Sequence, residues 1–278
     1  MDFTILHNKC LGYGSFGSVF ICEKKDKEKI KKYAIKIENL EKKKNTLKYE
    51  SKILKYLKGG IGIPKIISYI ELKKDNFLIM ELLGENLETF FKNNNYHLDI
   101  SLYINIGEQM LNRIEFLHSK YLIHNDIKPE NFVFGKGKNY SLLYLIDFGL
   151  VSYYKNPINK NHISFNENQK IKGTLKFTSI NSHMGFSLSR RDDLESLCYV
   201  LIYLWMGKLP WYKFNLGNYD KNQSIMNGKI NIGIESELND INIPKNLKIF
   251  LLYVKKLKFD EIPNYKYLME LISNIEKS

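Results

Sequence analysis

The chain has 278 residues, of which 44% are hydrophobic and 26% charged, and its formal net charge is +12. This length and composition predict a folded chain with a sizeable core, as one large domain or two lobes, and exclude a largely disordered chain. No apolar run reaches the roughly 18 residues that span a bilayer, and the N-terminal residues lack the pattern of a signal peptide. We therefore expect no membrane association and a cytoplasmic location, with the nucleus as the alternative.

Much of the positive charge lies in residues 23–44, which read EKKDKEKIKKYAIKIENLEKKK. Either this segment is a solvated lysine-rich surface, or it faces an anionic partner such as nucleic acid or a phosphorylated peptide. The sequence has neither zinc-finger spacing nor an RNA-binding aromatic motif, so we expect no nucleic-acid partner. Cys10, Cys22 and Cys198 lie far apart and form neither a disulfide framework nor a metal-ligand pattern.

The first eighty residues read as short strands broken by turns, with one helix among them. Strands are predicted at LHNKCLGYG, GSVFICEK, KKYAIKIEN and NFLIMELL. The stretch TLKYESKILKYLK predicts the helix, because Leu47, Ile53, Leu54 and Leu57 fall near one face at helical spacing. This part of the chain therefore predicts a small β-rich lobe.

From residue 86 the pattern becomes mostly helical. The segment LYINIGEQMLNRIEFLHSK predicts an amphipathic helix, whose apolar stripe consists of Leu102, Ile106, Met110, Ile114 and Leu117. The segment SLCYVLIYLWMG is apolar nearly all round, which predicts a buried helix. A glycine in ELLGE marks the change of pattern, so we place an N-lobe at residues 1–83 and a C-lobe at residues 84–278.

A glycine-rich stretch near the N-terminus reads GYGSFG and is followed by SVFICEK. Glycines let a backbone turn sharply and approach phosphate oxygens closely. In dinucleotide-binding folds a helix begins at the third glycine, whereas the β-branched and aromatic run here predicts a strand. We therefore expect a hairpin over phosphates, with a plain glycine-rich turn as the alternative. The predicted phosphate-binding residues are Gly12, Gly14, Ser15, Gly17 and Val19.

Lys36 lies in one of the predicted strands, and Glu50 follows fourteen residues later on the predicted helix. A lysine on a strand and a glutamate on a packed helix can form an ion pair that holds the ammonium against the α- and β-phosphates of a nucleotide. For either residue alone, a solvent-exposed surface position is the alternative.

Two later stretches carry carboxylates at positions suited to phosphoryl transfer. The stretch HNDIKPEN, residues 124–131, contains Asp126, Lys128 and Asn131, and LIDFG, residues 145–149, places Asp147 at the end of an apolar strand. Asp126 would accept the proton of an attacking hydroxyl, and Lys128 would neutralise the transferred group. Asp147 would bind magnesium, and Asn131 would bind a second magnesium ion. An ordinary polar loop is the alternative for HNDIKPEN alone. The catalytic interpretation is favoured because five elements occur in one order: the glycine-rich stretch, Lys36, Glu50, Asp126 with Asn131, and Asp147.

The order of these elements resembles that of a protein kinase, and its details resemble the casein kinase 1 family. The similar segments cover nearly the whole chain and include ESKILKYLKGGIGIP, MELLGENLE, HNDIKPENF, SRRDDLESL and KFDEIPNYKYL. Ser179-Ile180-Asn181 stands where most kinases carry Ala-Pro-Glu, which is a feature of this family. The segment GTLKFTS is closer to the vaccinia-related kinases, but that group usually has Tyr in place of Phe148.

This resemblance implies an α+β, bilobal protein-kinase fold, with a small antiparallel β-sheet N-lobe plus one helix and a larger, mainly α-helical C-lobe. It implies a monomeric Ser/Thr protein kinase that transfers the γ-phosphoryl group of ATP with Mg²⁺. Asp193 would anchor the loop that contains Asp126. The adenine-binding residues would be Ala34, Met80, Glu81, Leu83, Val133 and Ile146.

Two departures from the family pattern bear on activity. Position 125 is Asn where kinases usually have Arg, which suggests that phosphorylation of the activation loop is not the on-switch. Cys198 stands where the family has Gly. A pseudokinase scaffold, which binds ATP or partners without efficient transfer, is the alternative function, although Lys36, Asp126 and Asp147 are all retained.

The family prefers protein substrates that are acidic, or already phosphorylated, upstream of the target Ser or Thr. Lys176 stands where the family has Arg, and Lys170 and Lys172 lie close by in the sequence. The resemblance implies that these three lysines form an anion pocket, although lysine binds phosphate as a point charge and lacks the bidentate fork of arginine. Solvated surface lysines are the alternative.

Overall fold

The computed structural model describes residues 3–14, 17–26, 29–42, 46–212, 221–232 and 242–276. The chain divides into two compact units, one of residues 1–85 and 133–149 and the other of residues 86–132 and 150–278. The predicted lobe limits, residues 1–83 and 84–278, stay a prediction.

An antiparallel five-stranded sheet forms much of the first unit. Its strands are β1 (Thr4–Gly14), β2 (Gly17–Asp26), β3 (Lys29–Asn39), β4 (Ile66–Glu71) and β5 (Asp75–Glu81), in the order β1-β2-β3-β5-β4. Cys22, Ile35, Phe77 and Ile79 form a buried core of the sheet. The four predicted strands are confirmed. β4 was not among them, and the structure shows that none of its six residues is buried.

Helix α1 (Thr46–Tyr56) packs against β4 and β5. The apolar face predicted for it is buried, with Leu47, Ile53, Leu54 and Leu57 at most 3% exposed. A short two-stranded sheet, β7 (Phe132–Phe134) and β8 (Leu143–Leu145), lies mostly in the same unit. The predicted α1 helix is therefore confirmed, and it carries Glu50 on its buried face.

The second unit is mainly helical. Its helices are α2 (Leu87–Asn93), α3 (Ile100–Ser119), α4 (Ile180–His183), α5 (Arg190–Met206), α6 (Lys221–Ile232), α7 (Lys245–Lys256) and α8 (Tyr265–Ser273). Two short strands, β6 (Leu122–Ile123) and β9 (Ser152–Tyr153), pair in antiparallel fashion. Among the residues that the structure describes, no helix is long and apolar enough to cross a membrane.

Helix α5 is the centre of this unit and packs against α3, α4 and α7. It is buried from Asp192 to Leu204, which confirms the buried helix predicted for this segment. Cys198 is fully buried on α5, and its thiol lies 3.8 Å from the carbonyl oxygen of Leu247 on α7. The apolar stripe predicted on α3 is confirmed for Ile106, Met110, Ile114 and Leu117, which are fully buried, whereas Leu102 is only half-buried. The predicted α+β class, a small sheet with one helix and a larger helical part, is confirmed.

Candidate active site

Lys36 forms a buried ion pair in the first unit. Its Nζ lies 2.7 Å from Oε2 of Glu50 and 2.8 Å from Oδ1 of Asp147. The other carboxylate oxygen of Glu50 accepts a hydrogen bond from the Phe148 N–H at 3.2 Å. The ion pair predicted between Lys36 and Glu50 is therefore present, and the structure adds Asp147 to it.

The charges in this cluster favour a protonated lysine. Burial would lower the pKa of Lys36, but the carboxylates of Glu50 and Asp147 outweigh burial and raise it above its usual value. The Lys36 side chain is only 7% exposed, so neither water nor salt screens these interactions strongly. Lys36 is therefore a fixed positive charge, which is the property that binding of phosphate oxygens requires.

The glycine-rich stretch joins β1 to β2. Gly12 pairs with Val19, and Gly14 pairs with Gly17. Because β2 begins at Gly17, the predicted hairpin is confirmed and the helix of a dinucleotide-binding turn is excluded. Gly17 has a φ of 140°, and a Cβ there would lie 2.1 Å from a carbonyl oxygen of β3, so only glycine fits. Ser15, predicted to bind phosphate, lies outside the described residues.

The residues predicted to surround adenine all lie in the first unit. Ala34 on β3 and Met80 on β5 are paired in register, and Ala34 is buried. The Glu81 N–H donates to the carbonyl oxygen of Lys65 at 3.0 Å. Because the Glu81 N–H already has this partner, a backbone hydrogen bond between Glu81 and a ligand would use the Glu81 carbonyl oxygen.

Leu83, Val133 and Ile146 are the other predicted adenine contacts. The residue after Leu83, Gly84, donates its N–H to the carbonyl oxygen of Phe134 at 2.7 Å. This hydrogen bond links the segment that contains Leu83 to β7, on which Val133 is buried. Ile146 follows β8 directly and is half-buried. Their contact with adenine stays a prediction.

In the second unit, Asp193 on α5 anchors the loop at residues 124–131, which we name the HNDIKPEN loop. The His124 N–H donates to Oδ2 of Asp193 at 2.6 Å, and the Asn125 N–H donates to Oδ1 at 2.9 Å. His118 Nε2 lies 3.0 Å from the same Oδ2. Burial lowers the pKa of His118 although Asp193 opposes that effect, so a neutral ring donates from Nε2. The anchoring contact expected of Asp193 is present.

Asn125 ties the HNDIKPEN loop to the segment after Phe148-Gly149. Its side-chain amide donates to the carbonyl oxygen of Leu150 at 2.7 Å and to the hydroxyl of Ser152 at 2.9 Å. Asn125 also has a φ of 66°, in the left-handed region that asparagine tolerates better than arginine does. A neutral amide therefore makes this link without a charged partner.

Both carboxylate oxygens of Asp126 accept hydrogen bonds. The N–H and the hydroxyl of Thr174 donate to Oδ1 at 2.9 and 2.8 Å. Lys128 Nζ lies 2.7 Å from Oδ2 and 3.0 Å from the Thr174 hydroxyl. Asn131 donates from Nδ2 to the Asp126 carbonyl oxygen at 2.8 Å and to Oδ2 at 3.3 Å. The structure thus brings together Asp126, Lys128 and Asn131.

Thr174 was not predicted as a site residue. It reaches Asp126 because the preceding Gly173 has a φ of 84° and approaches the HNDIKPEN loop closely. A Cβ on Gly173 would lie 2.5 Å from the carbonyl oxygen of Asn125, so a side chain there would push Thr174 away. The Gly-Thr pair was visible in the sequence, but only the fold shows which carboxylate it contacts.

Asn131 and Asp147 carry the oxygen atoms that a magnesium ion prefers. Because Asn131 Nδ2 donates towards Asp126, its amide oxygen points the other way and can serve as a ligand. Asp147 offers a carboxylate in the first unit. In proteins that act on nucleotides, Mg²⁺ is bound by one or two such oxygens together with phosphates and water. Within the described residues no three His, Cys, Asp or Glu side chains form a metal site by themselves. Binding of magnesium by Asn131 and by Asp147 stays a prediction.

A family model of the protein kinase domain matches residues 6–271. The chain belongs to the protein kinase family. The match includes both clusters described above, around Lys36 and around Asp126. It confirms the predicted protein-kinase fold and supports binding of ATP and a divalent metal by this kinase. The finer assignment to the casein kinase 1 family stays a proposal.

The lysines predicted to form the anion pocket of this kinase lie in two environments. Lys170 and Lys172 line a pocket of about 560 Å³ in the second unit. Its other polar side chains include Asn156, Asn161 and Gln169. Because the Lys172 ammonium is partly withdrawn from water, burial lowers its pKa. These two lysines remain candidates for binding an anion.

Lys176 does not line that pocket. Its Nζ lies 3.7 Å from the centroid of the Tyr203 ring and near two further aromatic rings. Burial lowers the pKa of Lys176, and the carboxylates of Glu88 and Glu130 act in the opposite direction. The charged groups around Lys176 are therefore negative as well as positive, which makes it a poorer anion site than Lys170 and Lys172.

The Ser-Ile-Asn segment that replaces Ala-Pro-Glu in this kinase is bound to the start of α5. Ser179 and Asn181 donate to Oδ1 of Asp192 at 2.7 and 2.9 Å, and the Ser189 N–H donates to Oδ2 at 2.8 Å. Burial raises the pKa of Asp192 to about 6, although these donors oppose the shift. The hydroxyl and the amide of this segment thus serve as donors to a buried carboxylate.

Proposed function

We propose that this kinase is a Ser/Thr protein kinase of casein kinase 1 type, which transfers the γ-phosphoryl group of ATP with Mg²⁺. The observation that carries the proposal is the fixed carboxylate of Asp126, held by Thr174, Lys128 and Asn131. Phosphoryl transfer depends mainly on positioning and charge neutralisation. A carboxylate and an ammonium held 2.7 Å apart supply both.

Asp126 would orient the substrate hydroxyl and accept its proton. A carboxylate offers about four lone-pair positions, and in this structure Asp126 has four donors around it. The weakest of the four contacts is the one from Asn131 at 3.3 Å, which makes it the contact that a substrate hydroxyl replaces. The Lys128 ammonium would then neutralise charge on the phosphoryl group as it is transferred.

Lys36 would bind the α- and β-phosphates from the first unit. Glu50 and Asp147 hold its ammonium from two sides, so little conformational entropy remains to be lost on binding. Gly12, Gly14 and Gly17 would place backbone N–H groups near the phosphates. Asp147 would be a protein ligand of one Mg²⁺ ion and Asn131 a ligand of a second, and these ions would neutralise phosphate charge further.

Substrates that are acidic or already phosphorylated fit the second unit best. The residues that line the 560 Å³ pocket include Lys170 and Lys172 and no carboxylate. A phosphate group that enters it would meet two ammonium groups and several side-chain amides. The alternative for the whole chain is a pseudokinase scaffold, which would bind ATP without transferring phosphate.

The test is a phosphorylation assay with Mg²⁺ and ATP, in which purified wild type is compared with Asp126→Asn. The substrates are casein and matched peptides that carry Ser, Thr or Tyr at the target position. Asp260→Asn is the control, because Asp260 is exposed and lies outside both clusters. We expect transfer to Ser and Thr by wild type and by the control, and its loss in Asp126→Asn. ATP binding without transfer by folded wild type would support the scaffold instead.

Substrate preference is tested with a Ser peptide made with and without an upstream phosphoserine. We expect wild type to favour the phosphorylated peptide, and Lys170→Gln/Lys172→Gln to lose that preference while it retains activity on the plain peptide. The control Lys208→Gln/Lys258→Gln removes the same charge from exposed positions. Equal use of both peptides by wild type would rule out the proposed preference.

A further inference from the structure

Lys229 on α6 is fully buried, although no motif in the sequence marks it. Its Nζ donates to the carbonyl oxygens of Leu175 and Thr178 at 2.8 and 2.6 Å, and it lies 3.0 Å from Nε2 of His183. Lysine is rarely buried to this extent, because removal of its charge from water is costly. A buried lysine that binds backbone carbonyls of one short segment must therefore favour one conformation of that segment.

The two carbonyls belong to a turn at residues 174–178, which we name the Thr174 turn. The N–H groups of Phe177 and Thr178 both donate to the carbonyl oxygen of Thr174, at 2.8 and 2.9 Å. At the other end of the turn, Thr174 donates twice to Asp126. The same five residues thus connect the ammonium of Lys229 to the carboxylate of Asp126.

We infer that Lys229 is a positioning residue, which holds the Thr174 turn in the conformation that keeps Thr174 on Asp126. The inference rests on the role proposed above for Asp126. In this role Lys229 contacts neither the substrate hydroxyl nor the phosphates. It acts through two backbone carbonyls and through Thr174, and its loss should affect turnover more than nucleotide binding.

The surroundings of Lys229 match the charged form of its side chain. Two of its three partners are carbonyl oxygens, which only accept hydrogen bonds. The third partner is His183 Nε2, and its Nδ1 lies at hydrogen-bond distance from Oδ1 of Asn222, so that Nδ1 carries the proton and Nε2 accepts. Three acceptors therefore face the three N–H bonds of an ammonium group.

This arrangement makes the hold on the Thr174 turn sensitive to pH. Burial lowers the pKa of Lys229 to about 7, which Glu195 on α5 opposes and Lys255 on α7 reinforces. Tyr199 on α5 and His183 on α4 also face the ammonium, and burial keeps the pKa of His183 at about 4, so the ring is neutral. Above pH 7 the amine has only two N–H bonds for three acceptors, so the hold weakens.

The experiment compares wild type with Lys229→Met and with Lys221→Met, which makes the same change at an exposed position of the same helix. Hydrogen exchange is measured at the amides of Thr174, Phe177 and Thr178, and turnover is measured with Mg²⁺ and ATP. In Lys229→Met we expect these amides to exchange about tenfold faster or more. We expect kcat to fall by about tenfold, while KM for ATP changes by less than about twofold. Lys221→Met should match wild type in all three.

The pH dependence of turnover adds a second readout. Groups that titrate alike in wild type and in Lys229→Met cancel when the two turnover rates are divided. The ratio of wild-type to Lys229→Met turnover should fall as the pH rises from 6 to 8.5. A purely structural lysine would give a constant ratio. If Lys229→Met does not fold, Lys229→Gln replaces it, since the amide retains two N–H donors without the charge. In Lys229→Gln we expect the three amides to exchange faster than in wild type, but by less than about tenfold.

Wild-type exchange and turnover in a folded Lys229 variant would overturn the inference. If wild type itself transfers no phosphate, the proposed function fails, and the exchange data alone then decide whether Lys229 holds the Thr174 turn. The two failures are therefore distinguishable.

Discussion

Lys36 Nζ and Glu50 Oε2 lie 2.7 Å apart, with side chains that are 7% and 2% exposed. The pair connects β3 of the sheet to α1. Burial of two charges is costly, and their mutual attraction repays that cost only when the geometry is good and further hydrogen bonds are made. Here Asp147 and the Phe148 N–H supply those further interactions.

The first prediction concerns removal of one partner of this pair. Lys36→Met should lower the free energy of unfolding by about 3–5 kcal/mol, because Glu50 is left as a buried charge without its partner. The double variant Lys36→Met/Glu50→Leu should recover much of that loss. Chemical denaturation measures both values. The control is Lys48→Met, whose ion pair with Glu71 is exposed and should be worth less than about 1 kcal/mol. A loss in Lys36→Met no larger than in the control would contradict this account.

The sequence predicted these two residues because each stands on an element with a strong local signal. Lys36 lies in a β-branched run, and Glu50 lies on the face of α1 whose apolar spacing is clear. The two were also joined by a resemblance that covers nearly the whole chain. Thr174 could not be assigned in the same way, because its partner Asp126 lies 48 residues away and is reached only through the backbone at Gly173.

The environments of the lysines could not be predicted from the sequence. Lys170, Lys172 and Lys176 lie within seven residues, yet Lys176 packs on the distant ring of Tyr203 and does not line the pocket of the other two. Lys229 is fully buried, whereas the neighbouring Ile230 is 40% exposed. The local hydrophobic pattern does not predict whether a lysine is exposed or buried, because its long apolar stem suits either environment.

The second prediction isolates the backbone conformation of Asn125. Both Asn125→Ala and Asn125→Gly remove the hydrogen bonds to Leu150 and Ser152, but only alanine resists a φ of 66°. Asn125→Ala should therefore be less stable than Asn125→Gly by about 1 kcal/mol. Denaturation of the two variants under one set of conditions measures the difference. Equal stability would mean that the loop relaxes out of the left-handed region.

The third prediction concerns the anchor of the HNDIKPEN loop. Asp193→Asn keeps the shape of the side chain but replaces one acceptor oxygen with a donor, so the N–H of His124 or of Asn125 loses its partner. We expect the free energy of unfolding to fall by about 1.5–3 kcal/mol, with a parallel loss of turnover. Asp260→Asn is the exposed control. Unchanged stability and turnover in Asp193→Asn would show that the two N–H groups find other acceptors.

The fourth prediction concerns acid stability and rests on His183, which is 7% exposed and contacts Lys229. Burial, with Lys229 as a smaller cause, lowers its pKa from 6.5 to about 4. Between these two values the unfolded chain binds a proton at His183 and the folded chain does not. Stability is therefore lost as the pH falls through this window, by about 2 kcal/mol between pH 7 and pH 5.

A His183 variant is needed for comparison, because Asp192 changes the pH dependence of stability in the direction opposite to His183. Its pKa is raised to about 6, so the folded chain binds the extra proton and gains stability as the pH falls. The measurement is chemical denaturation of wild type and His183→Gln at pH 7 and pH 5. His183→Gln should lose about 2 kcal/mol less than wild type between the two values, whereas His97→Gln, at an exposed position, should behave as wild type. If all three proteins lose the same amount, His183 titrates as it does in the unfolded chain, and its neutral ring cannot be the acceptor that faces Lys229.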